Sequence, residues 1–265
     1  MKTTIWKKLL VAVMGLIVAG QAHANDNKIN YELNKIDEHA YVITHSWDKP
    51  GKFRNNVGFV VGNKGITIVN TMYARELDQL LAVIRSVSDK PIEYVFNSNW
   101  DFHNTDANAK LAEMGATIIS HKNLKYFEKA KTQLTFPDSI ELDIGTDKIL
   151  AYRNGGHSFG HINIYFENAN LMFMSDSYRD QWMTTPGPFG YEAHIKALQS
   201  ALVLGNAKTR FVPGNTSSSA FVDAETINQE IKIRREFISK INKLKSDGLS
   251  LAQIAKDKGV NKLFA

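Results

Sequence analysis

Short apolar runs rich in β-branched and aromatic residues lie at 40–44, 57–61 and 66–69, and Gly62 and Gly65 bracket a hairpin turn between the last two. The period then changes. Leu77, Leu80, Leu81, Ile84 and Val87 share one face of a 3.6-residue repeat, which predicts a helix. Residues 94–96 read as a buried strand leading into the polar stretch 97–104, followed by a helix over 107–114, a strand over 117–120 and a helix over 124–131. The second half alternates in the same way without repeating the sequence. Strands are expected at 149–152, 163–166, 171–174 and 210–212, and helices at 191–204 and 224–246. Ser250, with Gln253 three residues later, has the form of a capping box for a last short helix. Strands followed by helices in two successive halves predict two sheets sandwiched between helices, with polar loops at strand ends carrying any site.

The N-terminus departs from this pattern. Lys2, Lys7 and Lys8 precede an apolar run at 9–19 and then Ala22-His23-Ala24, the three-part layout of an export signal. That run is shorter than the roughly 20 apolar residues needed to cross a bilayer. Residues 1–24 are therefore expected to be removed, leaving one periplasmic or secreted domain, 25–265, with no stable membrane anchor. Loss of those three lysines takes the formal charge from +5 to +2, too small a surplus to point to nucleic acid. The basic residues at 232–235 and 240–245 lie among Ile227, Ile231, Ile238, Ile241 and Leu244 at helical spacing, as on the solvated side of a surface helix. There is no cysteine, so stability must come from a buried core. A mature chain of about 240 residues can supply one.

Candidate chemistry concentrates in four strand-end segments: residues 97–108, Gly155-Gly156-His157-Ser158-Phe159-Gly160-His161, the run from Leu171 to Asp176, and Phe211-Val212-Pro213-Gly214-Asn215. In order and spacing these resemble the site loops of the metallo-β-lactamase superfamily. Asn56-Val57-Gly58-Phe59-Val60 and Ile68-Val69-Asn70-Thr71 resemble its opening hairpin, so the resemblance spans nearly all of 25–265. It implies an α+β fold, a four-layer αββα sandwich, with a one- or two-zinc site. It also locates departures. Asn99, Asp101, His103 and Asn104 stand where the family's first loop has His, His, Asp and His. His157 matches a ligand histidine, His161 a partner that does not bind metal, and Asp176 the bridging aspartate. Asn215 replaces the last ligand histidine, and Asn70 an aspartate that supports the ligands.

Imidazole and carboxylate are good zinc ligands, whereas a neutral amide oxygen is a weak one. Asp101, His103, His157 and Asp176 are thus the strong metal candidates, and Asn99, Asn104 and Asn215 the weaker ones. On the family's backbone, Asp101 and His157 would face one metal position and His103 the other, with Asp176 able to reach either. That set suits one zinc or other divalent ion, with Asp101, His103 and Asp176 as the catalytic group acting on a small-molecule ester, lactone, thioester or amide. A second reading stays open. The asparagines at 70, 99, 104 and 215 equally suit a protein that holds no metal and serves as a non-catalytic binding or accessory protein. His121 and His194 have no acidic partner at ligand spacing and read as structural. Trp100, Phe102, Trp182 and Phe189 either line a pocket around the site or are ordinary packing residues.

Overall fold

The computed structural model describes residues 29–47, 54–127, 130–179, 184–216 and 219–264; residues 1–24, expected to form the export signal, and Trp182 lie outside them. The first half contains β1 (Ile29–Lys35), β2 (Ala40–Trp47), β3 (Arg54–Val61), β4 (Ile66–Val69), α1 (Leu77–Arg85), β5 (Ile92–Asn97), α2 (Phe102–Thr105), α3 (Asn108–Glu113), β6 (Thr117–His121) and β7 (Leu134–Phe136). The second contains β8 (Ser139–Asp143), β9 (Lys148–Arg153), β10 (Ile162–Phe166), β11 (Leu171–Arg179), α4 (Gly190–Leu204), β12 (Arg210–Thr216), α5 (Ala224–Ser246), α6 (Leu251–Ile254) and α7 (Lys258–Asn261). Hydrogen bonding joins the strands in the order β7-β6-β5-β4-β3-β12-β11-β10-β9-β8, with β2 on β3 and β1 on β2.

Alternation along the strands explains why this one sheet forms two layers. Val42, Val60, Val69, Phe96 and Ile119 from the first half meet Ile149, Ala151, Ile164, Phe173 and Val212 from the second in a shared core. Their sequence neighbours point the other way, as period-two geometry requires. Ile43, Phe59, Ile68, Val95 and Ile118 pack with Leu77, Leu80 and Ile84 of α1 and Leu111 of α3. Met172, Met174 and Phe211 pack with Ile195, Leu198 and Ala201 of α4 and Ile227 and Ile231 of α5. The result is the αββα sandwich, each fully buried aliphatic or phenyl side chain contributing about 1.5–3 kcal/mol. Where two separate sheets were expected, β3 links them: it pairs with β4 through Gly58–Val61 and with β12 through Asn55↔Asn215 and Arg54↔Thr216. One strand edge thus serves both layers and splits them beside the end of β12.

Gly58 lies at that split for a steric reason. A Cβ there would stand 1.8 Å from Cζ of Phe173, so only glycine lets the phenyl ring fill the inner core.

Several local expectations need correction. Of the helix expected over 124–131, residues 128 and 129 lie outside the described residues, and Leu124 to Tyr126 belong instead to a 3₁₀ turn, Lys122–Tyr126, ending where Phe127 becomes extended (φ −95°, ψ 94°). His121 caps it, its Nδ1 accepting from the Asn123 N–H at 3.1 Å while Nε2 faces the Pro137 carbonyl at 2.7 Å. The polar stretch after β5 contains the short helix α2. β11 does not stop near Asp176 but continues to Arg179. Strands β1, β7 and β8 are additional; β8 alternates between exposed and half-buried positions and carries little apolar signal. The capping box at Ser250 and Gln253 is present.

Candidate functional site

The segment after β5 is held by amides. Asn97 and Asn108 exchange hydrogen bonds at 2.8 and 3.1 Å, and Asn97 Nδ2 also donates to the Asn104 carbonyl at 2.8 Å. Asn70, at φ 66°, accepts from the backbone N–H and hydroxyl of Ser98 at 3.0 and 2.9 Å. Ser98 Oγ in turn accepts from the Ser175 hydroxyl at 2.7 Å, tying the end of β5 to β11. Ser175 itself has φ 45°, and the pairing of β11 with β12 is irregular on either side of it. Such an irregularity re-aims the next side chain, here Asp176.

Asp176 is fully buried and is the hub of the site. Its Oδ2 receives Asn99 Nδ2 at 2.7 Å, Asn104 Nδ2 at 3.2 Å and His103 Nε2 at 3.2 Å. Its Oδ1 receives Arg179 Nε at 2.9 Å and Nη2 at 2.8 Å. Gly214 makes room for this, since a Cβ there would come within 2.5 Å of Oδ1. Burial by itself would raise the Asp176 pKa; the charge and hydrogen bond of His103, then Arg179 and His157, outweigh it and hold the carboxyl well below its usual range. The second His–Asp pair is His157 Nε2 to Asp101 Oδ2 at 3.2 Å, with His157 Nδ1 facing the Thr185 carbonyl at 3.3 Å. Burial opposes the charged imidazole, but the Asp101 hydrogen bond, with the charges of Asp176 and Asp101 and the Thr185 carbonyl, raises the His157 pKa overall.

These two shifts set a pH window for the metal-free protein. The Asp176 contribution is present above the ordinary carboxylate pKa of about 3.9 and is lost as pH falls through its lowered value. The His157 contribution is present below the ordinary imidazole pKa of about 6.5 and is lost as pH rises through its raised value. Thermal midpoints of chelator-treated protein are therefore expected to decline as pH rises above the ordinary imidazole value of about 6.5. His157→Gln should flatten that limb, and an unchanged limb would assign it to another group.

The structure sorts the candidate residues. Ligand atoms of Asp101, His103 and Asp176 lie within 4.8 Å of one another. Two carboxylate oxygens and one imidazole nitrogen, with a water, fit the needs of one divalent ion. His157 stands outside that triad as the partner of Asp101. The asparagines take part in hydrogen bonds within and beside the site. Asn99 Oδ1 accepts from the backbone N–H of Asp101 and from Asn104 Nδ2, both at 2.8 Å, so both side chains turn amino groups toward Asp176. Asn215 Nδ2 donates to Asn55 Oδ1 across the β3–β12 pairing. His161 is fully buried against the Met174 carbonyl at 3.1 Å, its pKa lowered to about 4 by burial and by His157. His194 is buried in α4, where burial and Arg234 keep it neutral.

Arg179 was missed because β11 was expected to end before it. Of the aromatic candidates, Trp100 and Phe102 line a cavity next to Asp101. Phe189 instead packs edge-on against Phe159, ring centroids 5.3 Å apart.

No family model and no curated protein matches the chain. Solved structures do. A metallo-β-lactamase from Pontibacter korlensis superposes with a TM-score of 0.68 at 15% identity, covering 78% of this chain and 99% of its own. One from Hirschia baltica gives 0.64 at 16%, covering 77% and 97%. The metallo-β-lactamase IND-7 gives 0.64 at 15%, covering 79% and 99%. At such identities the likeness establishes the fold, and the chemistry rests on the residues.

Proposed function

We propose, from the premise that the chain has the metallo-β-lactamase fold, that it is an exported hydrolase of esters, lactones, thioesters or amides working with one divalent ion, zinc first. Asp101, His103 and Asp176 would hold that ion, and their approach to within 4.8 Å of one another is the observation that carries the reading. A bound ion supplies a Lewis acid and a water whose pKa falls toward about 7. The side chains account for the rest. Arg179 fixes Oδ1 of Asp176 and leaves Oδ2 beside His103. His157 has an acceptor at each ring nitrogen, which favours the doubly protonated ring. It thereby holds at Nε2 a proton available to a leaving group, while Asp101 stabilises the charge. Elemental analysis of purified protein is expected to find one ion per chain, and His157→Ala to lower kcat by about 10²–10⁴-fold with metal content unchanged. Absence of both bound ion and hydrolysis across the four substrate classes would sink the reading.

One observation favours a non-catalytic binding protein instead: the Asp176 carboxylate is already satisfied by five donor contacts from Asn99, Asn104, His103 and Arg179. On that reading His157→Ala leaves ligand affinity within a few-fold, and no ion copurifies.

A further inference from the structure

We propose that the cavity beside Asp101 is a subsite for a neutral aryl group, which narrows the hydrolase reading above, on which it rests, to aryl and arylalkyl esters and their relatives. The cavity measures about 450 Å³, within the range of small-molecule sites. Trp100, Phe102, Tyr126 and Phe127 supply its rings, and Asp101 belongs to the same wall. Phe102, Tyr126 and Phe127 are 54%, 85% and 44% exposed, and apolar rings gathered in the open mark a binding surface more often than a packing one. Trp100 and Phe127 lie 4.7 Å apart, centroid to centroid, at 33°. They offer faces and edges on which a third ring can stack. The 3₁₀ turn matters here, because its end at Phe127 sets that ring and Tyr126 on the same cavity.

Two further features choose the occupant. Among the described residues of the lining the one charged group is the Asp101 carboxylate, which disfavours an anion. Asp101 is also one of the three converging ligand residues, so an aryl group in the cavity stands one side chain from the reacting bond.

Calorimetric titration of metal-free protein with 2-naphthol, the neutral product of a naphthyl ester, tests the subsite without requiring turnover. Wild-type protein is expected to bind it, and Trp100→Ala and Phe127→Ala each to weaken binding by at least about tenfold. Tyr94→Ala, in a separate cavity formed with Asn63 and Asp143, should leave binding unchanged. With turnover, Phe127→Ala should raise KM for 2-naphthyl acetate about tenfold and leave kcat within about threefold, with ethyl acetate unaffected. Phe127 is partly exposed, so its replacement tests the idea even if Trp100→Ala fails to fold. No binding of 2-naphthol by wild-type protein, or equal binding by both variants, overturns the subsite. Binding lost in the variants, with no bound ion and no hydrolysis of any ester, lactone, thioester or amide, upholds the subsite and removes the hydrolase reading.

Discussion

Asp176→Ala is expected to lower the stability of the metal-free protein by about 3 kcal/mol and to abolish divalent-ion binding. The removed carboxylate accepts from Asn99, Asn104 and His103 on one oxygen and from Arg179 on the other, with no exposure of its own. Breaking a buried ion pair by deleting one partner costs about 3–5 kcal/mol, because the partner is left without compensation. Arg179 retains 21% side-chain exposure and can recover some hydration, which places the loss near the lower end. Asp176→Asn should be nearly as damaging. Its amino group must face either the guanidinium or the two asparagine amino groups, donor against donor. Urea unfolding with an unchanged slope reads the first effect, and calorimetric titration with zinc the second. A loss under about 1 kcal/mol would mean that water re-satisfies the donors. Retained zinc affinity would move the ligand set elsewhere.

Gly58→Ala acts through the core instead of the site and is expected to cost about 3 kcal/mol. The added methyl would overlap the Phe173 ring at 1.8, 2.4 and 2.6 Å from three of its carbons. That ring cannot withdraw, since it is 2% exposed and meets Phe166 edge-on at 5.8 Å. The smaller side chain in a Gly58→Ala/Phe173→Leu double variant should restore part of the loss. If the double variant were no more stable than Gly58→Ala alone, overlap with the Phe173 ring would not be the cause.

The layers of the fold were legible because periodicity reports burial directly. Val42 with Ile43, Phe59 with Val60, and Ile118 with Ile119 each place one side chain on either face of a strand. Strand β8 was not legible, for its residues are exposed or half-buried and carry almost no apolar contrast. The helix expected from Leu124 had helical composition, but over the described residues 124–127 it gives way to a 3₁₀ turn set by the His121 cap and the extended Phe127. Within the site, the resemblance to the metallo-β-lactamase loops singled out Asp101, His103, His157 and Asp176, of which Asp101, His103 and Asp176 converge. His157 does lie beside Asp101 as the resemblance implied, but its position outside the triad depends on loop geometry that spacing does not encode. Arg179 was hidden by the misplaced strand end. The asparagines were readable as weak ligands; their actual work, turning donors toward Asp176 or bridging strands, depends on which amide atom faces which partner.

The bond between Asn215 and Asn55 therefore has a mechanical consequence. It lies at the narrow pairing of β3 with β12, beside the bond of Asn56 Nδ2 to the Pro213 carbonyl at 2.9 Å, so the residue at 215 now helps fasten the two layers together. A histidine at 99, 104 or 215 would discard a working hydrogen bond while supplying only part of a zinc shell. Each amide thus fastens the site in its present form, and a single replacement loosens it before it gains a ligand.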